Sequence, residues 1–138
     1  MNTPQFRPLT LPWRRTALVL WGISITAITV LSLHPRWGPP GGMHLDKLFH
    51  TLGYFTVAAL PFLAFTTRTR AWRAMVLMLP LGIGLEFLQQ YVPGRSSDVM
   101  DMVANTAGVI MGGLGGPWCL KVADSLIQQI NPGAKKEP

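Results

Sequence analysis

Four apolar runs, each close to the length that crosses a lipid bilayer, constrain this chain more than any other feature. They extend from Thr16 to Leu33, from Leu45 to about Thr66, from Trp72 to about Val92 and from Asp101 to about Leu120. A hydrocarbon core of about 30 Å needs roughly 20 helical residues. Backbone inside such a core must satisfy its own hydrogen bonds, which a helix does and an open strand does not. The runs therefore predict an all-α integral membrane bundle of four transmembrane helices. Pro80 interrupts the third run, where neighbouring helices are able to satisfy the carbonyl it frees. Charged residues make up only 13% of the 138 residues, against about 25% in soluble domains. A chain this short would struggle to bury its apolar surface in water.

The flanking sequence sets the domain limits. Residues 1–15, punctuated by Pro4, Pro8 and Pro12, read as an irregular cytoplasmic segment, 16–128 as the membrane domain and 129–138 as a disordered cytoplasmic tail. Between the first two runs, Pro35, Gly38, Pro39, Pro40, Gly41 and Gly42 prevent a helix. The first run ends Val30-Leu31-Ser32-Leu33-His34-Pro35. It lacks the small-residue pattern of a signal-peptide cleavage site and reads as a retained helix.

Basic residues give the orientation. Arg7, Arg14, Arg15, Arg68, Arg70, Arg73, Lys121, Lys135 and Lys136 fall on one side, against Arg36, Lys47 and Arg95 on the other. The richer side is cytoplasmic by the positive-inside rule. Both termini are then inside (N-in/C-in), in a multi-pass protein of a cell membrane. The net charge of +6 is spread between apolar runs rather than gathered on a polar face, so nucleic acid is not an expected partner. Cys119 is the single cysteine, which excludes an internal disulfide and reads as packing.

On this frame the polar residues gather toward the outer side. Asp46, His50 and Tyr54 share one helix face at i, i+4, i+8, with Lys47 beside them. Glu86, Gln89 and Gln90 lie in the outer part of the third helix, and Asp101 and Asn105 open the fourth. Glu86 sits roughly 9 Å inward of Val92, and His50 and Asn105 roughly 6 Å inside their helix starts. Ionisable groups at such depth are costly unless paired or facing a cavity. A shared inward pocket is the simplest arrangement.

Each residue has a functional and a structural reading. Glu86 is a functional candidate, or a buried pair with Arg95 or Lys47 that orders the bundle. His50 is a proton acceptor or a hydrogen-bond bridge between helices. Arg95 and Lys47 form an anion clasp, or Arg95 pairs with Asp98 or Asp101. Asp101 caps the fourth helix, Asn105 bonds across helices, and Tyr54 is a packed ring. One histidine, His50, with Asp46 and Glu86 makes a poor zinc signature, so neither metal nor cofactor is expected. Ala104, Gly108, Gly112 and Gly116 form a small-residue stripe for packing within the chain or, alternatively, for homodimerisation.

Taken in order, Asp46-Lys47-x-x-His50-x-x-x-Tyr54, Glu86-x-x-Gln89, Pro93-Gly94-Arg95-Ser96 and Asp101-x-x-x-Asn105-x-x-Gly108-x-x-x-Gly112 resemble the VanZ-like family. The resemblance spans about Asp46 to Gly112, with the first helix also in place, and Asp98 lies outside the motif. It implies a small multi-helix bacterial membrane protein. The family is named for a member associated with teicoplanin resistance, and the resemblance supplies no reaction.

Three functions compete. The leading one is binding of a membrane lipid or cell-envelope precursor by Lys47, Arg95, Glu86 and His50 at the outer face, with a bearing on glycopeptide susceptibility. The second is an intramembrane enzyme acting on a lipid headgroup or envelope precursor, with His50 and Glu86 or Asp101 as base and acid. The third is a small proton-coupled transporter, against which stands the outward position of Glu86, since transporter sites lie near the midplane.

Overall fold

The computed structural model describes residues 8–35, 43–95 and 97–131. Residues 1–7, most of the Gly- and Pro-rich loop, Ser96 and the expected tail beyond Asn131 lie outside the described residues. The chain is all-α: α1 is Leu11–Leu33, α2 Met43–Ala64, α3 Arg68–Val76, α4 Met78–Gln89 and α5 Val99–Ile130. No strand occurs among the described residues.

Helix α1 begins five residues before the expected Thr16, at Leu11, with Pro12 in its first turn. An N–H is not missed there, and the fixed φ of proline suits a helix start. Its neighbour Leu9 is buried with Leu120 and Ile127, so the segment expected to be irregular up to residue 15 is partly packed. The Arg14 Nε donates to the Ala64 carbonyl (3.2 Å), joining the start of α1 to the end of α2. The two helices are antiparallel.

Pro61 sits inside α2 and deprives the Val57 carbonyl of its intrahelical donor. The Trp21 indole of α1 donates to that same carbonyl at 2.8 Å. A neighbouring helix thus repairs a proline defect, as the low-dielectric interior demands.

The third apolar run is helical from Arg68 to Gln89 and bends near Pro80, where the sequence places an interruption. It starts at Arg68, capped by the Thr67 hydroxyl, and breaks between α3 and α4 at Leu77. Pro80 has no N–H for the Val76 carbonyl and its ring crowds that carbonyl. Leu77 keeps right-handed helical dihedrals (φ −63°, ψ −16°), so the break is a kink rather than a loop.

Helix α5 runs 32 residues, well past the expected end near Leu120 and through the expected domain limit at 128. It lies parallel to α2 at very short range. A Cβ on Gly112 would fall 2.6 Å from the Phe55 carbonyl oxygen and 2.7 Å from Ala58 Cβ. Gly108 presses on the α2 backbone at Thr51 and Phe55, and Gly116 on the Phe62 ring. The small-residue stripe is therefore filled by α2 of the same chain. Tyr54, Val57, Ala58, Phe62, Ala71, Met75, Met78 and Val109 form the main core around this contact.

Two helical stretches, Leu11–Leu33 and Arg68–Gln89, are long and apolar enough to cross a membrane. The other two long helices carry the polar residues: Asp46, Lys47 and His50 on α2, Asp101 and Asn105 on α5.

Candidate functional site

The parallel α2–α5 pair places the first turns of both helices side by side. Asp98 N-caps α5, its Oδ1 accepting from the Met100 amide at 2.8 Å. That leaves Asp101 free to turn toward α2, and it corrects the expectation that Asp101 is the cap. Lys47 bonds Asp98 Oδ2 (2.6 Å) and Asp101 Oδ1, and lies 3.7 Å from Asp46 Oδ2. The Lys47 ammonium and the Met100 amide hold the Asp98 carboxyl below the usual carboxylate range.

His50 stands at the centre of the cluster. Its Nδ1 lies 2.9 Å from Asn105 Oδ1, and Asn105 Nδ2 donates to Glu86 Oε1 at 3.4 Å. Glu86 accepts, so the amide presents its oxygen to His50, and His50 Nδ1 is the donor. The other ring nitrogen, Nε2, faces Asp46 Oδ1 (3.7 Å) and Asp101 Oδ2 (3.8 Å). Glu86 is 1% exposed, its Oε1 lies 3.8 Å from His50 Nδ1, and its Oε2 has no hydrogen-bond partner among the described residues.

Arg95 does not join this cluster and pairs with neither Asp98 nor Asp101. It follows Gly94, whose φ of +81° suits glycine in the turn after α4. Its guanidinium donates to the Leu31 and His34 carbonyls at the end of α1, where a cation meets free helix carbonyls. The anticipated clasp of Lys47 with Arg95 is thus divided. Lys47 is committed to carboxylates, and Arg95 stands over α1.

Between α1, α2 and the end of α4 lies a cavity of about 460 Å³. Ile28 and Leu31 of α1 and Phe49 and Leu52 of α2 make it apolar, Ser32, His50, Thr56, Gln89 and Arg95 line it with polar side chains, and Tyr54 adds its ring, its hydroxyl being buried without a partner among the described residues. Gln89 is buried, and the buried Tyr54 ring fits against Gly82. The nine residues expected to form the site therefore make two adjoining groups. Asp46, Lys47, Glu86, Asp101 and Asn105 are in the cluster, and Tyr54, Gln89 and Arg95 are in the cavity. His50 belongs to both. Sequence reasoning set Asp98 aside, although an aspartate just before an apolar helical run is itself a cap signal.

These features define a class: a small helical protein with an apolar exterior and a partly buried ionic cluster at one end of its bundle. Within that class the chain belongs to the VanZ/LLP1 family, whose profile matches residues 5–119. No match was found among curated proteins or solved structures.

Proposed function

We propose that this is a four-span membrane protein, N-in/C-in, that holds the apolar chain of a lipid or lipid-linked envelope precursor in the cavity between α1, α2 and α4. The cavity carries the reading. Its 460 Å³ falls in the roughly 300–1,000 Å³ range of ligand pockets, and its polar groups stand on an apolar wall. The guanidinium of Arg95 has donors beyond the two bonds it makes to α1, which suits a phosphate headgroup. By family resemblance, such binding bears on glycopeptide susceptibility.

Support for the bilayer comes from outward-facing Val19 and Ile23 on α1, Leu45 and Leu48 on α2, and Ile110 and Leu114 on α5. Apolar surface on so many helices favours lipid over water. At 1.5 Å per residue α2 and α5 reach about 33 and 48 Å, enough to cross. Reporter fusions after Arg70 are expected to read cytoplasmic and fusions after Gly94 extracytoplasmic; a reversed pattern rejects the topology.

The binding test is native mass spectrometry of the purified chain with phosphatidylglycerol and with a polyprenyl phosphate. A retained adduct is expected in wild type. Leu52→Trp, which fills the cavity from its exposed rim, should weaken it at least about tenfold, and Arg95→Ala should weaken the phosphate-bearing probes. Adducts indifferent to Leu52→Trp would refute the cavity reading. A chemically altered probe that disappears in Glu86→Gln would instead favour an intramembrane enzyme.

A further inference from the structure

The acidic side of His50 has a geometry that neither lipid binding nor helix packing explains. His50 Nδ1 donates to Asn105 Oδ1, which turns the other ring nitrogen, Nε2, toward Asp46 Oδ1 and Asp101 Oδ2 at 3.7 and 3.8 Å, beyond hydrogen-bond length. Three electronegative atoms facing one another across this gap call for a positive charge between them, either a proton on Nε2 or a bound cation. Lys47 does not fill that place. It takes the other oxygen of each carboxylate, Asp46 Oδ2 and Asp101 Oδ1. Three carboxylates, Asp46, Asp98 and Asp101, share this one ammonium, which leaves an excess of two negative charges. Behind the ring the buried Glu86 adds a fourth acidic group, with Oε2 unpartnered among the described residues.

We propose that Asp46, His50 and Asp101 bind one divalent transition-metal ion through Oδ1, Nε2 and Oδ2. One ligand atom from each of the three residues lies within 4.8 Å of the others, and Nε2 is 3.7 Å from Asp46 Oδ1 and 3.8 Å from Asp101 Oδ2. An ion at about 2.1 Å from each holds such atoms roughly 3.0–3.5 Å apart, so rotation of the two aspartates closes the set. Mixed imidazole and carboxylate ligands suit Zn²⁺ or Mn²⁺ better than Mg²⁺ or Ca²⁺. The Asn105–Glu86 chain behind Nδ1 is the outer support that fixes a ligating imidazole. Three protein ligands leave coordination positions open for water or an anionic oxygen. This ligand set departs from the sequence reading, which grouped His50 with Glu86 rather than with Asp101. The side-chain pairing across α2 and α5 supplies the missing third ligand.

The test uses the full chain in detergent, stripped with chelator and titrated with ZnCl₂ and MnCl₂ by calorimetry, with MgCl₂ for comparison. One ion per chain is expected, with Mg²⁺ much weaker. Asp46→Asn, at a partly exposed position, and His50→Gln should each weaken binding by at least about tenfold, and Asn105→Ala by about tenfold. Asp124→Asn, outside the cluster, should bind as wild type. Bound Mn²⁺ should show imidazole nitrogen coupling in pulsed electron paramagnetic resonance, lost in His50→Gln. Absence of a saturable site, or binding unchanged in Asp46→Asn, or no nitrogen coupling, overturns the proposal. Lipid retention in the cavity is read separately, so either inference can fail without the other.

Discussion

Gly108→Ala is expected to destabilise the protein by roughly 3 kcal/mol, at the upper end of what overpacking costs. A single methyl group has this effect because of what it meets. The added Cβ would crowd the Thr51 carbonyl, approach Tyr54 Cβ at 2.9 Å and Phe55 N at 3.0 Å. Two of these are backbone atoms of α2, which cannot rotate aside, so the helices must separate. In an open helix position the same exchange is favourable by roughly 0.5–1 kcal/mol, because alanine restricts the unfolded chain more than glycine does. Gly84 is such a position, with nothing within 4 Å of its added Cβ, and Gly84→Ala should be neutral or stabilising. Gly113→Ala should fall between, since its first contact is the flexible end of Met75 at 2.7 Å. Unfolding of the three variants in mixed detergent micelles checks the order. A neutral Gly108→Ala would mean that α2 and α5 are not in backbone contact.

Lys47→Met should cost roughly 2–3 kcal/mol, somewhat less than the 3–5 kcal/mol of breaking a fully buried pair. The discount reflects exposure: the Lys47 side chain is 28% exposed and that of Asp98 47%, while that of Asp101 is only 9%. The loss arises mainly from leaving Asp101 without its counter-charge beside Asp46. Adding Asp101→Asn should therefore return part of the stability, and a double-mutant cycle reads that coupling. Simple additivity would show that the ammonium does not compensate Asp101. The Asp98 carboxyl is held below its ordinary range, so its contribution is present at neutral pH. It is lost only as pH falls through that lowered value. The difference between wild type and Lys47→Met should accordingly persist into mildly acidic solution.

Both variants act at the α2–α5 contact, and that contact links the fold to the site. The close approach of Gly108 and Gly112 to α2 brings Asp98, Asp101 and Asn105 beside Lys47 and His50. A bulkier stripe would separate the same residues. Loss of ionic pairing and loss of packing should therefore accompany each other in Gly108→Ala, whereas Lys47→Met should leave the packing near Gly116 intact.

Much of this was legible in the chain. Apolar runs of bilayer length predicted helices, because backbone in an apolar surrounding must bond to itself. Spacing of i, i+4 put Asp46, His50 and Tyr54 on one face, because that face is a local property of the helix. The small-residue stripe predicted a close helix neighbour, and the four ordered motifs indicated the family. Other features depended on residues 36 to 64 positions apart. That Trp21 repairs the carbonyl freed by Pro61, that Lys47 selects Asp98 and Asp101, and that Arg95 turns to the end of α1 instead are matters of helix rotation and depth. Periodicity states which residues share a face but not which face meets which neighbour. That was decided only when the α5 glycines seated against α2, since backbone contact at that range permits few rotations of one helix on the other.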